Sequence, residues 1–197
     1  MTVAAILLAA GESTRMGSPK PLLPWGGGTL VQYQLEQLRA SRIDHIIVVL
    51  GHQADKVRPH IAKAGVEVVE NPDYRQGRAT SLRAGVAHLP PDTEAIVVLN
   101  VDQPRPHGLI DALVEAHLSG GHLITVPSYQ GRRGHPPVLS GALIPELHAI
   151  SDERQGLREV MQRHAADVRE LPWGSDIVLL DINTPEEYQR ARESYSL

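Results

Sequence analysis

Short apolar runs, bounded by turn residues, alternate along this chain with stretches of helical periodicity, and that alternation limits the folds open to it. Val3–Ala9, His45–Leu50, Val66–Glu70, Ala95–Leu99, Leu123–Val126 and Ile177–Leu180 read as buried strands. Between them Thr29–Ala40, Gln53–Ala64, Ala79–His88, Leu109–Leu118, Gln155–His164 and Pro185–Ser194 carry apolar residues at helical spacing. In the first of these Leu30, Tyr33, Leu35 and Leu38 mark a buried face. Thr184-Pro185-Glu186-Glu187 opens the last one with a capping hydroxyl, a proline at the first position and two acids beside the positive end of the helix dipole. The expected fold class is α/β, a mostly parallel central sheet flanked by helices on both faces, in a single domain over residues 1–197. The stretch from Ser128 to Leu139, with Gly131, Gly134 and paired prolines, breaks the rhythm. It reads as an inserted loop or a small antiparallel excursion.

Composition narrows the partners. A hydrophobic fraction of 42% with 21% charged residues suits a globular domain, and the absence of phenylalanine leaves the core to Leu, Val, Ile and Ala. The formal net charge of −4 offers a polyanion no general attraction, so nucleic acid is not an expected partner. It leaves room for a few cations gathered around one phosphate-bearing ligand. With no cysteine, disulfides, thiolate metal sites and cysteine nucleophiles are excluded, and a reducing cytoplasm is the favoured location. The apolar opening Val3–Ala10 is short and lacks a basic start, so neither a signal peptide nor a membrane span is expected.

In an open parallel sheet, ligands bind outside the carboxyl ends of the strands. Four unusual segments fall at such ends. From Leu8 to Pro24, the small residues Ala9, Ala10 and Gly11 let backbone amides approach a ligand, while Arg15 and Lys20 add two cations. Backbone donors plus cations suit a triphosphate, whose negative charge grows on the leaving oxygens during transfer. Neither a Walker loop nor a dinucleotide fingerprint is present; a Gly-rich turn with solvated charges is the plainer alternative. In Leu99-Asn-Val-Asp-Gln-Pro104, Asp102 leaves a buried strand, well placed to ligate Mg²⁺ through hard oxygens or simply to form a turn. Asp181 follows Leu180 and precedes the capped helix, where it serves equally as part of the cap. From Asn71 to Arg83, Gly77 permits close approach, Arg78 offers a phosphate contact and Ser81 a donor near a helix start; a plain turn at Asn71-Pro72 and a solvated Ser81 fit equally well.

The run Leu8-Ala-Ala-Gly-x-Ser-x-Arg-Met-Gly-x-x-Lys-x-Leu-Leu resembles the opening signature of the nucleotidyltransferases of molybdenum cofactor biosynthesis, and its Ala-Ala-Gly resembles the molybdopterin cytidylyltransferase branch. Asp102-Gln-Pro, Gly131-Arg-Arg-Gly-His-Pro and Asp181-x-x-Thr-Pro-Glu extend the resemblance over nearly the whole chain. It implies a Rossmann-like, GT-A-like nucleotidyltransferase fold and Mg²⁺-dependent transfer of CMP from CTP to the phosphate of molybdopterin. Residue by residue it implies nucleotide contacts at Leu8, Ala9, Ala10, Gly11, Asn71, Gly77 and Ser81, and phosphate-holding cations at Arg15 and Lys20. It further implies metal ligands at Asp102 and Asp181, and an acceptor side at Arg133, His135 and Asn183. Transient contacts with molybdoenzymes or cofactor-insertion proteins would follow. Two departures stand out: Val101 replaces a glycine before Asp102, and Asn183 stands where relatives often have a second aspartate. Asp152–Gly156 matches its family counterpart only in part and is assigned no role. Rival readings are a guanylyltransferase, a sugar-1-phosphate nucleotidyltransferase, and a cofactor chaperone that binds nucleotide or pterin without turnover.

Overall fold

The computed structural model describes residues 2–62 and 64–195. In chain order, β1 (Thr2–Ala9) is followed by the two-residue strands β2 (Pro24–Trp25) and β3 (Gly28–Thr29), α1 (Leu30–Ala40), β4 (His45–Leu50), α2 (Ala54–Ile61) and β5 (Glu67–Glu70). Then come α3 (Arg78–Val86), β6 (Thr93–Asn100), α4 (His107–Gly120), β7 (Ile124–Tyr129), β8 (Arg132–Arg133) and β9 (Val138–Ser140). The chain closes with α5 (Ile144–His148), α6 (Leu157–Arg163), β10 (Val168–Pro172) and α7 (Pro185–Ser194).

The central sheet runs β10-β7-β9-β6-β1-β4-β5, with β8 attached to β7. β1 pairs in parallel with both β4 and β6, β4 with β5, and β10 with β7. Only β9, antiparallel to β6 and β7, and the β7–β8 hairpin break that pattern. The expected excursion is this pair of strands. Its hairpin turns at Gln130 and Gly131, both with positive φ, the backbone that matches the twist of the flanking strands.

Strand alternation divides the core between two faces. Ala5, Leu7, Ala9, Val97 and Leu99 point toward α1, α2, α4 and the final segment carrying Val178 and Ile182. Ile6, Ile47, Val49, Ile96 and Val98 point toward α3, α5 and α6. Gly85 of α3 lies so close to Ile6 and Val49 that a Cβ there would overlap them, which sets how tightly α3 seats on the sheet. The expected cap at α7 forms as a capping box of Thr184 with Glu187, and α1 opens on a second one, Thr29 with Gln32. Among the described residues no helix is long and apolar enough to cross a membrane.

One expected strand is absent. Ile177–Leu180 is not extended: Asp176–Leu179 forms a 3₁₀ turn, opened by Ser175, whose Oγ accepts from the Ile177 amide. Its carbonyls are used elsewhere, Val178 O accepting from the His135 amide at 2.8 Å and from Arg105 Nη2 at 3.2 Å. The sheet instead ends on β10, whose residues are only partly buried and end at Pro172, as an edge strand permits. The helix expected over Gln155–His164 begins only at Leu157, because Gln155 and Gly156 take positive φ.

Candidate active site

The chain leaves β1 for β4 and β5 on one side, then returns to β6 on the other, so the loops after β1 and β6 diverge at a topological switch point. A cavity of about 300 Å³ opens there, bounded by Leu8 to Gly11, the loop carrying Arg15 and Lys20, the start of α3, and Asn100 to Asp102.

The loop after β1 is built by its short polar residues. Ser13 adopts a left-handed φ of 55° and Gly17 one of 68°, bracketing the 3₁₀ turn Thr14–Met16. The Ser13 hydroxyl accepts from the Lys20 amide at 3.0 Å, folding the loop back on itself. Pro19 and Pro21 flank Lys20, whose Nζ donates to Asp102 Oδ2 at 2.6 Å and to Asn183 Oδ1 at 2.9 Å. Both partners of the ion pair are largely enclosed, with side-chain exposures of 13% and 18%. Arg15 is exposed on the same lip and forms no hydrogen bond or ion pair among the described residues.

Asp102 is held by the polypeptide around it. The Val101 amide continues the ladder to Leu8 O at 3.0 Å, and Asp102 O accepts from the Ile182 amide at 2.9 Å. Val101, where a glycine was expected from the resemblance, buries its side chain in the core and needs no left-handed backbone. Fully buried Gln34 of α1 braces the loop, donating through Nε2 to Asn100 O and Gln103 O and accepting the Arg105 amide at Oε1. Arg105 is fully buried as well, and its guanidinium donates only to carbonyls: His135 at 2.8 Å, Pro104 at 2.9 Å, Leu180 at 2.9 Å and Val178 at 3.2 Å. Burial pulls its pKa down to about 10, partly offset by the negative charges of Asp181 and Asp102, so it stays cationic at neutral pH.

Asp181 follows the last of those carbonyls. Its carboxyl lies above the ordinary range, first from partial burial and then from the nearby Asp102 charge, with the Asn183 side chain, Lys20 and Arg78 acting in the opposite sense. Asp102 lines the cavity and Asp181 does not, yet they lie near enough for the Asp102 charge to act on Asp181, and hard carboxylate oxygens of this kind suit a divalent cation that keeps waters or phosphate oxygens as its remaining ligands. Among the described residues no group of three or more His, Cys, Asp or Glu side chains converges for a metal, so any ion here would rest on these two acids.

The start of α3 forms the opposite wall. Gly77, with φ 126° and ψ 174°, leads into it, and the Asp152 carboxylate accepts from the Arg78 amide at 3.1 Å and the Ala79 amide at 2.8 Å. Asp152, given no role from the sequence, therefore caps α3 from a distant part of the chain; no local pattern could reveal a cap 74 residues away. Arg78 Nη2 donates to Asn100 Oδ1 at 2.6 Å across the cavity. Of the other expected nucleotide residues, Ser81 lines the cavity, while Asn71 lies buried behind it, its Nδ2 donating to Thr80 and Ser81. Asn71 thus orients Ser81 rather than facing the cavity.

The three residues expected on the acceptor side part company. Asn183 lines the first cavity, His135 lines a neighbouring one, and Arg133 lines neither, pairing through Nε with Glu170 at 2.7 Å on the outer hairpin. Burial and the Arg105 and Arg78 guanidiniums lower the pKa of the His135 ring, which keeps it neutral. Arg105 and Gln34 were missed because a buried arginine or glutamine in a loop or helix carries no sequence signal until its carbonyl partners are known.

Residues 5–168 match the MobA-like NTP transferase domain. The chain is 27% identical to the molybdenum cofactor cytidylyltransferase of Escherichia coli (strain K12), over 97% of this chain and 96% of that protein. It is 31% identical to the nicotine blue oxidoreductase of Paenarthrobacter nicotinovorans, over 99% and 96% of the two chains. The crystal structure of Rv0371c from Mycobacterium tuberculosis H37Rv in complex with manganese superposes with a TM-score of 0.82 at 31% identity, covering 98% of this chain and all of that one. Fold, domain match and neighbours agree: this nucleotidyltransferase belongs to the MobA-like NTP transferase family.

Proposed function

We propose that the chain transfers CMP from CTP to the terminal phosphate of molybdopterin, releasing pyrophosphate. The observation that carries this reading is the lysine–carboxylate–amide cluster under the first cavity, Lys20 Nζ bonded to Asp102 and Asn183 from residues far apart in the chain. Such a cluster sets a cation and a hard carboxylate side by side at a floor over which a triphosphate and its divalent ion would lie. The relative named as a molybdenum cofactor cytidylyltransferase supports the choice of base and acceptor.

An oxygen of the acceptor phosphate attacks the α-phosphorus of CTP in line, a new P–O bond forms, the α–β P–O bond breaks, and its electron pair leaves with pyrophosphate. The attacking oxygen is already anionic, so no protein base is needed. What the chain contributes is position and charge: Leu8 to Gly11 with Ser81 take the nucleoside, Arg15 and Lys20 the β- and γ-phosphates, and Arg78 the phosphate on the α3 side. Asp102 and Asp181 would hold Mg²⁺, which supplies further neutralisation of the transferring phosphoryl oxygens.

Asp102→Ala should lower turnover by a factor on the order of 10²–10³, the loss usual when one electrostatic element of a transfer site is removed, with the fold intact by circular dichroism. Pyrophosphate release from CTP, Mg²⁺ and molybdopterin is the assay. Near-normal turnover in that variant, or release with GTP in place of CTP, would overturn the assigned site or base respectively.

A further inference from the structure

Under the transfer reading Lys20 and Asp102 serve different partners, Lys20 the nucleotide phosphates and Asp102 a divalent ion, yet the structure bonds them to each other. Lys20 Nζ lies 2.6 Å from Asp102 Oδ2, a short charge-assisted bond within a largely enclosed pair. Its second bond, to Asn183 Oδ1 at 2.9 Å, fixes the ammonium between the loop after β6 and the segment before α7. The surroundings are already rich in positive charge. Arg105 lies close enough to feel both Asp102 and Asp181, and Asp181 feels Lys20 and Arg78 as well. Two carboxylates thus face the cations Lys20, Arg78 and Arg105, and Asn183 adds no charge to that balance. A divalent ion arriving alone would meet a carboxylate oxygen already held by an ammonium, and like charges that close repel strongly in an enclosed site.

We propose that Lys20 is the resident cation of Asp102 until nucleotide phosphates draw it away, so that a divalent ion binds together with the nucleotide and only weakly without it. The inference rests on the reading of Asp102 as a metal ligand. The exchange needs only a side chain to move. The Lys20 amide is tied to Ser13 Oγ at 3.0 Å, its carbonyl accepts from the Leu23 amide at 3.1 Å, and Pro19 and Pro21 stand on either side. On that fixed backbone the flexible four-carbon stem can turn the ammonium from Asp102 into the cavity that both residues line with Arg15. A triphosphate supplies the negative charge that the site lacks: its oxygens take Lys20, and Asp102 Oδ2 is opened to the ion. Because coupling between two ligands is reciprocal, the ion must strengthen nucleotide binding by the factor by which the nucleotide strengthens its own.

Mn²⁺ binding to the full chain, followed by the electron paramagnetic resonance of the free ion, tests this without turnover. With no nucleotide present the wild type should bind Mn²⁺ weakly. Lys20→Met and Lys20→Gln, which keep much of the stem and remove the charge, should each bind it about tenfold more tightly, the scale of one charge-assisted hydrogen bond. Adding Asp102→Asn to either variant should remove the gain. A merely structural ion pair would leave Mn²⁺ affinity unchanged or lower it when Lys20 is lost. By the same coupling, Mn²⁺ should raise the wild type's affinity for CTP in calorimetric titrations. Equal Mn²⁺ affinity in wild type and both variants, a gain that survives Asp102→Asn, CTP binding indifferent to Mn²⁺, or no Mn²⁺ binding by any form would overturn the proposal. Tighter Mn²⁺ binding by the Lys20 variants, with no pyrophosphate released by the wild type in the turnover assay, would support the cation exchange and overturn the transfer reading instead.

Discussion

At Gly77 the backbone turns with φ 126° and ψ 174°, a region open to glycine and strained for any other residue. A Cβ there would also overlap the Asp152 carboxylate that caps α3. Gly77→Ala should therefore lose the cap and cost about 1–3 kcal/mol, the usual range for a strained backbone position, and it should weaken CTP binding by shifting the wall that carries Arg78. Urea denaturation alongside a CTP titration checks both effects; an unchanged midpoint would mean that Asp152 is not holding the helix. From the sequence Gly77 was legible as a place of close approach, but the group that approaches it was not. The same limit applied at Lys20. Its place on a cation-bearing loop at a strand end could be read from Arg15, Gly17 and Pro19 nearby, whereas its bonds to Asp102 and Asn183 span 82 and 163 residues and exist only once the sheet is assembled.

Among elements, the strands β1, β4 and β6 were legible because both their faces are buried, and a doubly buried strand shows as an uninterrupted apolar run. β10 was not, since an edge strand with Arg169 and Glu170 lacks such a run. Ile177–Leu180 misled in the opposite way: its apolar residues are core, but its carbonyls are drawn toward Arg105 and the His135 amide, which a strand pairing would forbid. Arg105 thus joins three elements at once, the loop after β6, the hairpin beyond β7 and the segment that presents Asp181. Arg105→Met should cost about 3 kcal/mol, because it leaves several buried carbonyls without donors. In addition, it should lower turnover more than CTP affinity, because the segment freed carries Asp181, the proposed metal ligand. Stopped activity with an unchanged unfolding midpoint would argue against the clamp. Arg105→Lys should rescue only in part, a single ammonium being unable to span carbonyls that a planar guanidinium reaches together.

For the whole molecule, stability depends on pH through a residue far from the site. His117 of α4 is buried and paired with Thr125 Oγ1 at 3.0 Å, and burial first, then His122, lowers its pKa to about 4. The folded state therefore disfavours protonation that the unfolded chain accepts at about 6.5. The stability linked to His117 is complete above that value and is lost as pH falls from about 6.5 toward about 4. Between pH 7 and pH 5 the loss linked to His117 should be on the order of 1–2 kcal/mol, measured by urea unfolding as the part of the pH dependence that His117→Gln removes, the His135 ring contributing over the same range. A wild type equally stable at both values would refute this assignment.

What the sequence by itself determined is local or periodic: the α/β class, the capped start of α7, the cation-bearing loop after β1, and Asp102 at a strand end. Each depends on residues within a few positions of one another, where backbone preference and alternation act directly. The tertiary structure alone decided the distant pairings, Lys20 with Asp102 and Asn183, Asp152 with the start of α3, and Arg105 with four carbonyls. Those contacts form because the sheet order β5-β4-β1-β6-β9-β7-β10 brings loop ends together, and no spacing along the chain encodes that order.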